Sequence, residues 1–254
     1  MTEKQWHAVK ILISEFRDFC TSAAERYNND TLLLECQQEI IQQFHVPQYP
    51  LENMVVYNKR LDELTKENDI KLILIGDNPG KNEQLSCNCR YLVGQAGKLA
   101  HRFFSTNPEL NIDFDTEVII LNKSPLHTAK TAYLKKLLSA YEKKTHSAQL
   151  HTFFLESQTF MADFVYRLQS LFNCYVFLVG YSEVATGHIF EQYHASILEC
   201  YKNNSKLQKK FLCFQHFSMN RFTIDLKNNY NKNTSLFENI IQLGSKHRKR
   251  IFSF

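Results

Sequence analysis

Asp77, Asn78, Asn122 and His216 have the types and spacing to act together on a ligand, because each stands just after a short apolar run. Leu72–Ile75 leads into Gly76-Asp77-Asn78-Pro79-Gly80, and Val118–Leu121 leads into Asn122-Lys123-Ser124-Pro125-Leu126-His127. Tyr175–Val179 is followed by Gly180-Tyr181-Ser182-Glu183, and Phe211–Phe214 by Gln215-His216-Phe217-Ser218-Met219-Asn220-Arg221. If the four runs are neighbouring parallel strands, a carboxylate, two carboxamides and an imidazole converge on one rim of the sheet, where α/β proteins bind ligands. Four of the chain's seven glycines lie between residues 76 and 97, in the first turn and in Gly94-Gln95-Ala96-Gly97. Glycine tolerates positive φ and has no Cβ, so such turns let backbone approach a bound group closely. Taken alone, the cluster fits a phosphate cradle, a flavin site or a plain strand exit.

The elements that must position these residues follow from hydrophobic periodicity. None of the four apolar runs alternates, as expected for parallel strands covered on both faces. Helical spacing covers residues 3–27 and 31–44, with Asp30 or Thr31 as a cap, and a third helix is expected over 52–67. Further helical patterns cover 96–105, 131–141, 149–171, 183–200 and 234–246, with Ser182 read as the cap of the helix at 183. Alternating strand and helix predicts a three-layer α/β/α sandwich with a central four-stranded parallel sheet. We read residues 1–254 as one domain: N-terminal helices over 1–67, a motif-bearing core over 70–225, and a C-terminal helix over 234–250. The polar stretches at 202–206 and 227–233 read as loops.

Composition narrows the classes of function. The formal net charge of +4 permits a nucleic-acid partner without requiring one, since a basic footprint depends on clustering. The densest cluster is Lys246-His247-Arg248-Lys249-Arg250, which suits either phosphate contacts or a basic helix end. No segment approaches 18 apolar residues and no secretory leader is evident, so the expected setting is cytoplasmic, without a membrane partner. Seven scattered cysteines argue against a disulfide framework. Cys87-Asn88-Cys89 has the wrong spacing for a zinc knuckle, and no metal site is expected.

The motifs, taken in order, resemble the uracil-DNA glycosylase superfamily over roughly residues 70–225. Gly76-Asp77-Asn78-Pro79-Gly80 with Tyr91-Leu92-Val93-Gly94-Gln95-Ala96-Gly97-Lys98-Leu99 is similar to its first motif. Asn122 is similar to its pyrimidine-reading asparagine, and His216-Phe217-Ser218-Met219-Asn220 resembles a degenerate form of its His-Pro-Ser-Pro motif. The likeness is nearest to the single-strand-selective, mismatch-specific and thermostable branches, and lacks iron–sulfur cysteines.

The resemblance implies excision of uracil or a related damaged base from single- or double-stranded DNA, by a monomer that needs no metal or organic cofactor. Asn78, slightly favoured, or Asp77 would position the attacking water. His216 would stabilise the departing base as negative charge builds on it. Asn122, Tyr91, Leu92, Gly76, Pro79 and Gly80 would form the base pocket, the base first being flipped out of the stack. Ser124, Ser218, Met219, Asn220 and Arg221 would contact DNA, with Met219 and Arg221 as wedges. Three departures stand out. Leu92 occupies the stacking aromatic's place with Tyr91 just before it, and Phe217 and Met219 replace prolines, which predicts a less rigid loop. A catalytically drifted nucleic-acid-binding module on the same fold is the rival reading, and a nucleoside or nucleotide hydrolase ranks third.

Overall fold

A computed structural model describes all 254 residues. The four apolar runs are strands, β1 (Leu72–Gly76), β2 (Val118–Asn122), β3 (Tyr175–Val179) and β4 (Phe211–Phe214). They form one parallel sheet in the order β2-β1-β3-β4. Every residue of β1, β2 and β4 is buried, which accounts for the unbroken apolar runs. Helices cover the sheet as a three-layer α/β/α sandwich.

Two groups of helices make the covering layers. One comprises α1 (Glu3–Tyr27), α2 (Thr31–Gln43), α4 (Leu134–Thr145), α5 (Gln149–Phe172) and α6 (Glu191–Tyr201), with α5 packed on α1, α4 and α6. The other comprises α3 (Gln95–Ser105), α8 (Arg221–Asn228) and α9 (Leu236–Phe252), with α9 packed on β4 and α8. The short α7 (Ser205–Lys210) leads into β4. A single buried apolar cluster of 66 residues runs from Val9 in α1 through the sheet to Phe252 in α9. At about 25 cal/mol per Å² of apolar surface, such a cluster is the main favourable term of folding. No helix is long and apolar enough to cross a membrane.

Strand order locates the crevice. From β1 the chain crosses to β2 on one side, whereas from β3 it crosses to β4 on the other. The loops leaving the adjacent strands β1 and β3 therefore diverge, opening a gap at their carboxyl ends. Register sets the same rim level, since Gly76 pairs with Asn122 and Val179 with Phe214.

Several local expectations fail for identifiable reasons. Residues 52–67 hold only a 3-10 segment over Lys59–Glu63. The chain before it is extended: Val55 bridges Leu126, Val56 N donates to Pro125 O, and the Met54 and Val55 amides donate to Asn28 Oδ1. Long-range partners there outbid helix propensity. Ser182 caps no helix, because a 3-10 turn over Tyr181–Val184 and Gly187 at φ +80° delay α6 until Glu191. The loops expected at 202–206 and 227–233 are partly helical, taken up by the starts and ends of α7 and α8. In the basic run near the C-terminus, His247 and Arg248 are buried. Arg248 donates to the carbonyls of Gln208, Phe211 and Phe254, so it braces β4 instead of facing a polyanion.

Candidate active site

The turn after β1 is braced from beneath. His127 is fully buried and its Nδ1 donates to Pro79 O at 2.8 Å, while Tyr49 lies 3.2 Å from Nε2. Burial drives the imidazole down to about 4 against the pull of the Pro79 carbonyl, so it stays neutral and can make both bonds. Pro79 is accordingly a buried strut and not a lining residue of the cleft. Asn78 is also tied down, its Nδ2 donating to Thr128 Oγ1 at 3.0 Å and Leu126 O at 3.3 Å.

Asp77 and Asn122 stand at the mouth of the crevice. Asp77 Oδ1 lies 2.5 Å from Lys123 Nζ, and Oδ2 accepts from Thr131 Oγ1 at 3.1 Å. Gly180, at φ +74°, packs against this carboxylate; a Cβ there would sit 2.8 Å from Asp77 Oδ1. Asn122 is buried, makes no side-chain hydrogen bond, and its Nδ2 is sealed from solvent without a partner. Its Oδ1 presses on Gly76, where a Cβ would lie 2.6 Å away. An orphaned buried donor costs about 1–3 kcal/mol, and a ligand oxygen at that position would remove the cost.

His216 faces the same cleft from the end of β4. Its Nδ1 accepts from Ser218 N at 3.0 Å and lies 2.8 Å from Ser218 Oγ. A nitrogen that accepts a backbone N–H carries no proton, so in the neutral ring the hydrogen sits on Nε2, which has no partner in the chain. Burial holds the imidazole below its ordinary value; Asp77 opposes this, and the Lys123 and Arg221 charges add to it. The ring is thus a neutral donor near pH 7.

The cleft has a volume of about 540 Å³, and its lining includes Gly76, Asp77, Asn78, Gly80, Leu92 and Asn122 together with His216, Ser218, Met219 and Arg221. Other expected members lie elsewhere. Tyr91 is buried beneath the turn and donates its hydroxyl to Val56 O at 2.6 Å, so it cannot stack on a base. Ser124 is fully buried and pairs with Ser157 Oγ at 2.8 Å, out of reach of DNA. Asn220 does not line the cleft; it faces a neighbouring groove beside α3 and α8. Phe217 does not loosen its loop, because it is buried and stacked on Phe222 at 4.3 Å. Beyond that anchor, Met219 and Asn220 adopt φ of +53° and +58°, and Met219 projects into solvent at 68% exposure.

None of the four clustered glycines has positive φ, and only Gly76 and Gly97 stand where a Cβ would collide. Leu92 has it instead, at +59°, an uncommon state for a bulky residue. That turn drives the Leu92 carbonyl onto Gly97, where a Cβ would lie only 1.5 Å from the oxygen.

Sequence reasoning missed Glu83 and Lys123. Lys123 stands in the strand-exit run, but alternation along a strand turns it away from the face of Asn122. Glu83, buried at the cleft wall, accepts from Gly80 N at 3.0 Å and faces the amides of Leu92 and Val93, so it joins the two glycine loops. Burial pushes its carboxyl up to about 7 against the pull of these amides. The folded chain therefore holds the proton more tightly than the unfolded chain. This contribution is full below about 4.5 and is lost as pH rises through 7, a cost of up to about 3 kcal/mol. Glu83→Gln should flatten that dependence, gaining stability over the native chain at pH 8 relative to pH 5 in urea denaturation. A difference that does not change with pH would show that Glu83 titrates normally.

No protein-family model, curated protein or solved structure matches this chain.

Proposed function

We propose that this chain is a base-excision glycosylase that hydrolyses the N-glycosidic bond of uracil or a related damaged base in DNA. The observation that carries the reading is the unpartnered Asn122 amide, packed on Gly76 in a cleft that Asp77 and a neutral His216 also face. A carboxamide offers a donor and an acceptor to the edge of a pyrimidine. In the reaction the C1′–N bond breaks with its electron pair leaving on the base. His216 Nε2–H would donate to the base oxygen on which that charge accumulates. The Asp77 carboxylate would stabilise the cationic sugar and orient the water whose oxygen joins C1′, accepting its proton. Leu92 supplies an apolar wall where an aromatic stack is missing, and Met219 projects from the rim as the wedge.

Asp77 suits the water-positioning role better than Asn78, whose amide hydrogens are already engaged by Thr128 and Leu126. A phosphate cradle fits poorly, because the Gly80 amide that would greet an anion already faces the Glu83 carboxyl.

The test is incubation with labelled single- and double-stranded oligonucleotides bearing one uracil, followed by alkaline cleavage of abasic sites. Strand breaks at the uracil are expected, and they should be lost in Asn122→Leu. DNA binding without any break at micromolar protein would favour the binding-module reading for uracil.

A further inference from the structure

Lys123 is the most deeply buried charge in the molecule, with no exposed surface, directly beneath the proposed site. Its ammonium donates to Asp77 Oδ1 at 2.5 Å, to Val179 O at 2.7 Å and to Gly76 O at 3.3 Å, and it lies 5.4 Å from the Phe190 ring. All three of its hydrogens are therefore spent on the carboxyl ends of β1 and β3. A buried ammonium is costly unless paired and fully hydrogen-bonded, and apolar residues of similar volume usually replace such pairs without loss of stability. Stability alone is thus a weak reason for a lysine here. The side chain also enters from behind the sheet rim, since Lys123 does not line the cleft whereas Asp77 and Asn122 do.

We propose that Lys123 is a positioning residue, which holds the Asp77 carboxylate in the one orientation that presents it to the reacting sugar and water. Three fixed contacts surround that carboxylate: Lys123 on Oδ1, Thr131 on Oδ2, and the bare Cα of Gly180 against both oxygens. Together they remove the rotational freedom of the side chain before substrate arrives, and such pre-organisation is what electrostatic catalysis requires. The dipeptide Asn122-Lys123 at the end of β2 then serves the site from two sides. Asn122 meets the base, and Lys123 sets the carboxylate.

This inference rests on the glycosylase reading, and a double-mutant cycle separates the two. Lys123→Met should lower the single-turnover rate on a uracil oligonucleotide by about 30-fold or more, within the range for misplaced catalytic groups. The dissociation constant for DNA should stay within about twofold, because Lys123 reaches no solvent. In an Asp77→Asn background the same change should cost less than about threefold, since the group it positions is already gone. Equal losses in the two backgrounds, or a loss confined to DNA binding, would overturn the proposal. Should Lys123→Met not fold, Lys123→Gln, which keeps a donor toward the strand carbonyls, takes its place in the same cycle. If the native chain releases no uracil, the glycosylase reading fails on its own. The cycle is then read in thermal melts, where the absence of coupling between positions 77 and 123 would remove the pairing on which the proposal stands.

Discussion

Asp77→Asn is expected to slow uracil release in single turnover by about 10³-fold, whereas Asn78→Ala is expected to slow it only about fivefold. The asparagine at 77 keeps the shape of the side chain and an oxygen for Lys123, so the architecture of the turn survives. On the proposed glycosylase reading, what it removes is the negative charge beside the sugar and the acceptor for the water's proton. Groups that act in this way contribute about 10²–10⁴-fold. Asn78 lines the same cleft, but its amide is bonded to Thr128 and Leu126. Its loss removes turn hydrogen bonds worth about 1 kcal/mol, which corresponds to roughly fivefold in rate. Comparable losses in the two variants would show that both carry the water or that neither does. A larger loss at Asn78 would reverse the assignment.

Gly97→Ala is expected to cost the largest amount of stability of any single methyl group added at the site. The new Cβ would fall 1.5 Å from the Leu92 carbonyl oxygen and 2.5 Å from its carbon, and neither is a side-chain end that could swing away. Either the start of α3 or the Leu92 turn must move. Overpacking ordinarily costs about 1–3 kcal/mol, and collision with backbone belongs at or above the top of that range. For a chain of this size, about 3 kcal/mol lowers the melting temperature by roughly 6–12 °C. Gly94→Ala is the matched control, because a Cβ at Gly94 meets nothing within 4 Å. It should melt within about 2 °C of the native chain, since surface changes are usually within about 0.5 kcal/mol. Equal melting of the two variants would mean that the Leu92 turn is free to relax. Leu92 would then be unsuited as a fixed wall of the cleft.

The two outcomes probe opposite sides of one design. The polar side of the cleft depends on atoms whose partners come from other strands, and the apolar side depends on a strained turn pinned by a glycine.

The strands and the order of the motifs were legible because they depend on local pattern. Unbroken apolar runs mark strands covered on both faces, and all four lie where the runs predict, β1 and β2 each extending one residue further. Polar residues at their ends had to share a rim once the strands were parallel, which places Asp77, Asn122 and His216 together. The failures have a common cause in partners distant along the chain. The 52–67 segment reads as a third helix, yet its backbone is claimed by Asn28 and by the 125–127 strand exit. Tyr91 looks like a stacking aromatic beside the glycines until Val56 takes its hydroxyl. Ser124 reads as a DNA contact until α5 brings Ser157 over it.

By itself, then, the sequence determined an α/β sandwich with one polar rim, because hydrophobic period and strand exits are properties of consecutive residues. Only the tertiary structure decided that Lys123 points behind that rim to hold Asp77, that Glu83 bridges the two glycine loops, and that Gly76 and Gly97 are needed for space and not for positive φ. Those facts depend on which side chains and loops meet in space around the carboxyl ends of the strands. Such meetings are set by strand order and side-chain direction, which no local window of sequence contains.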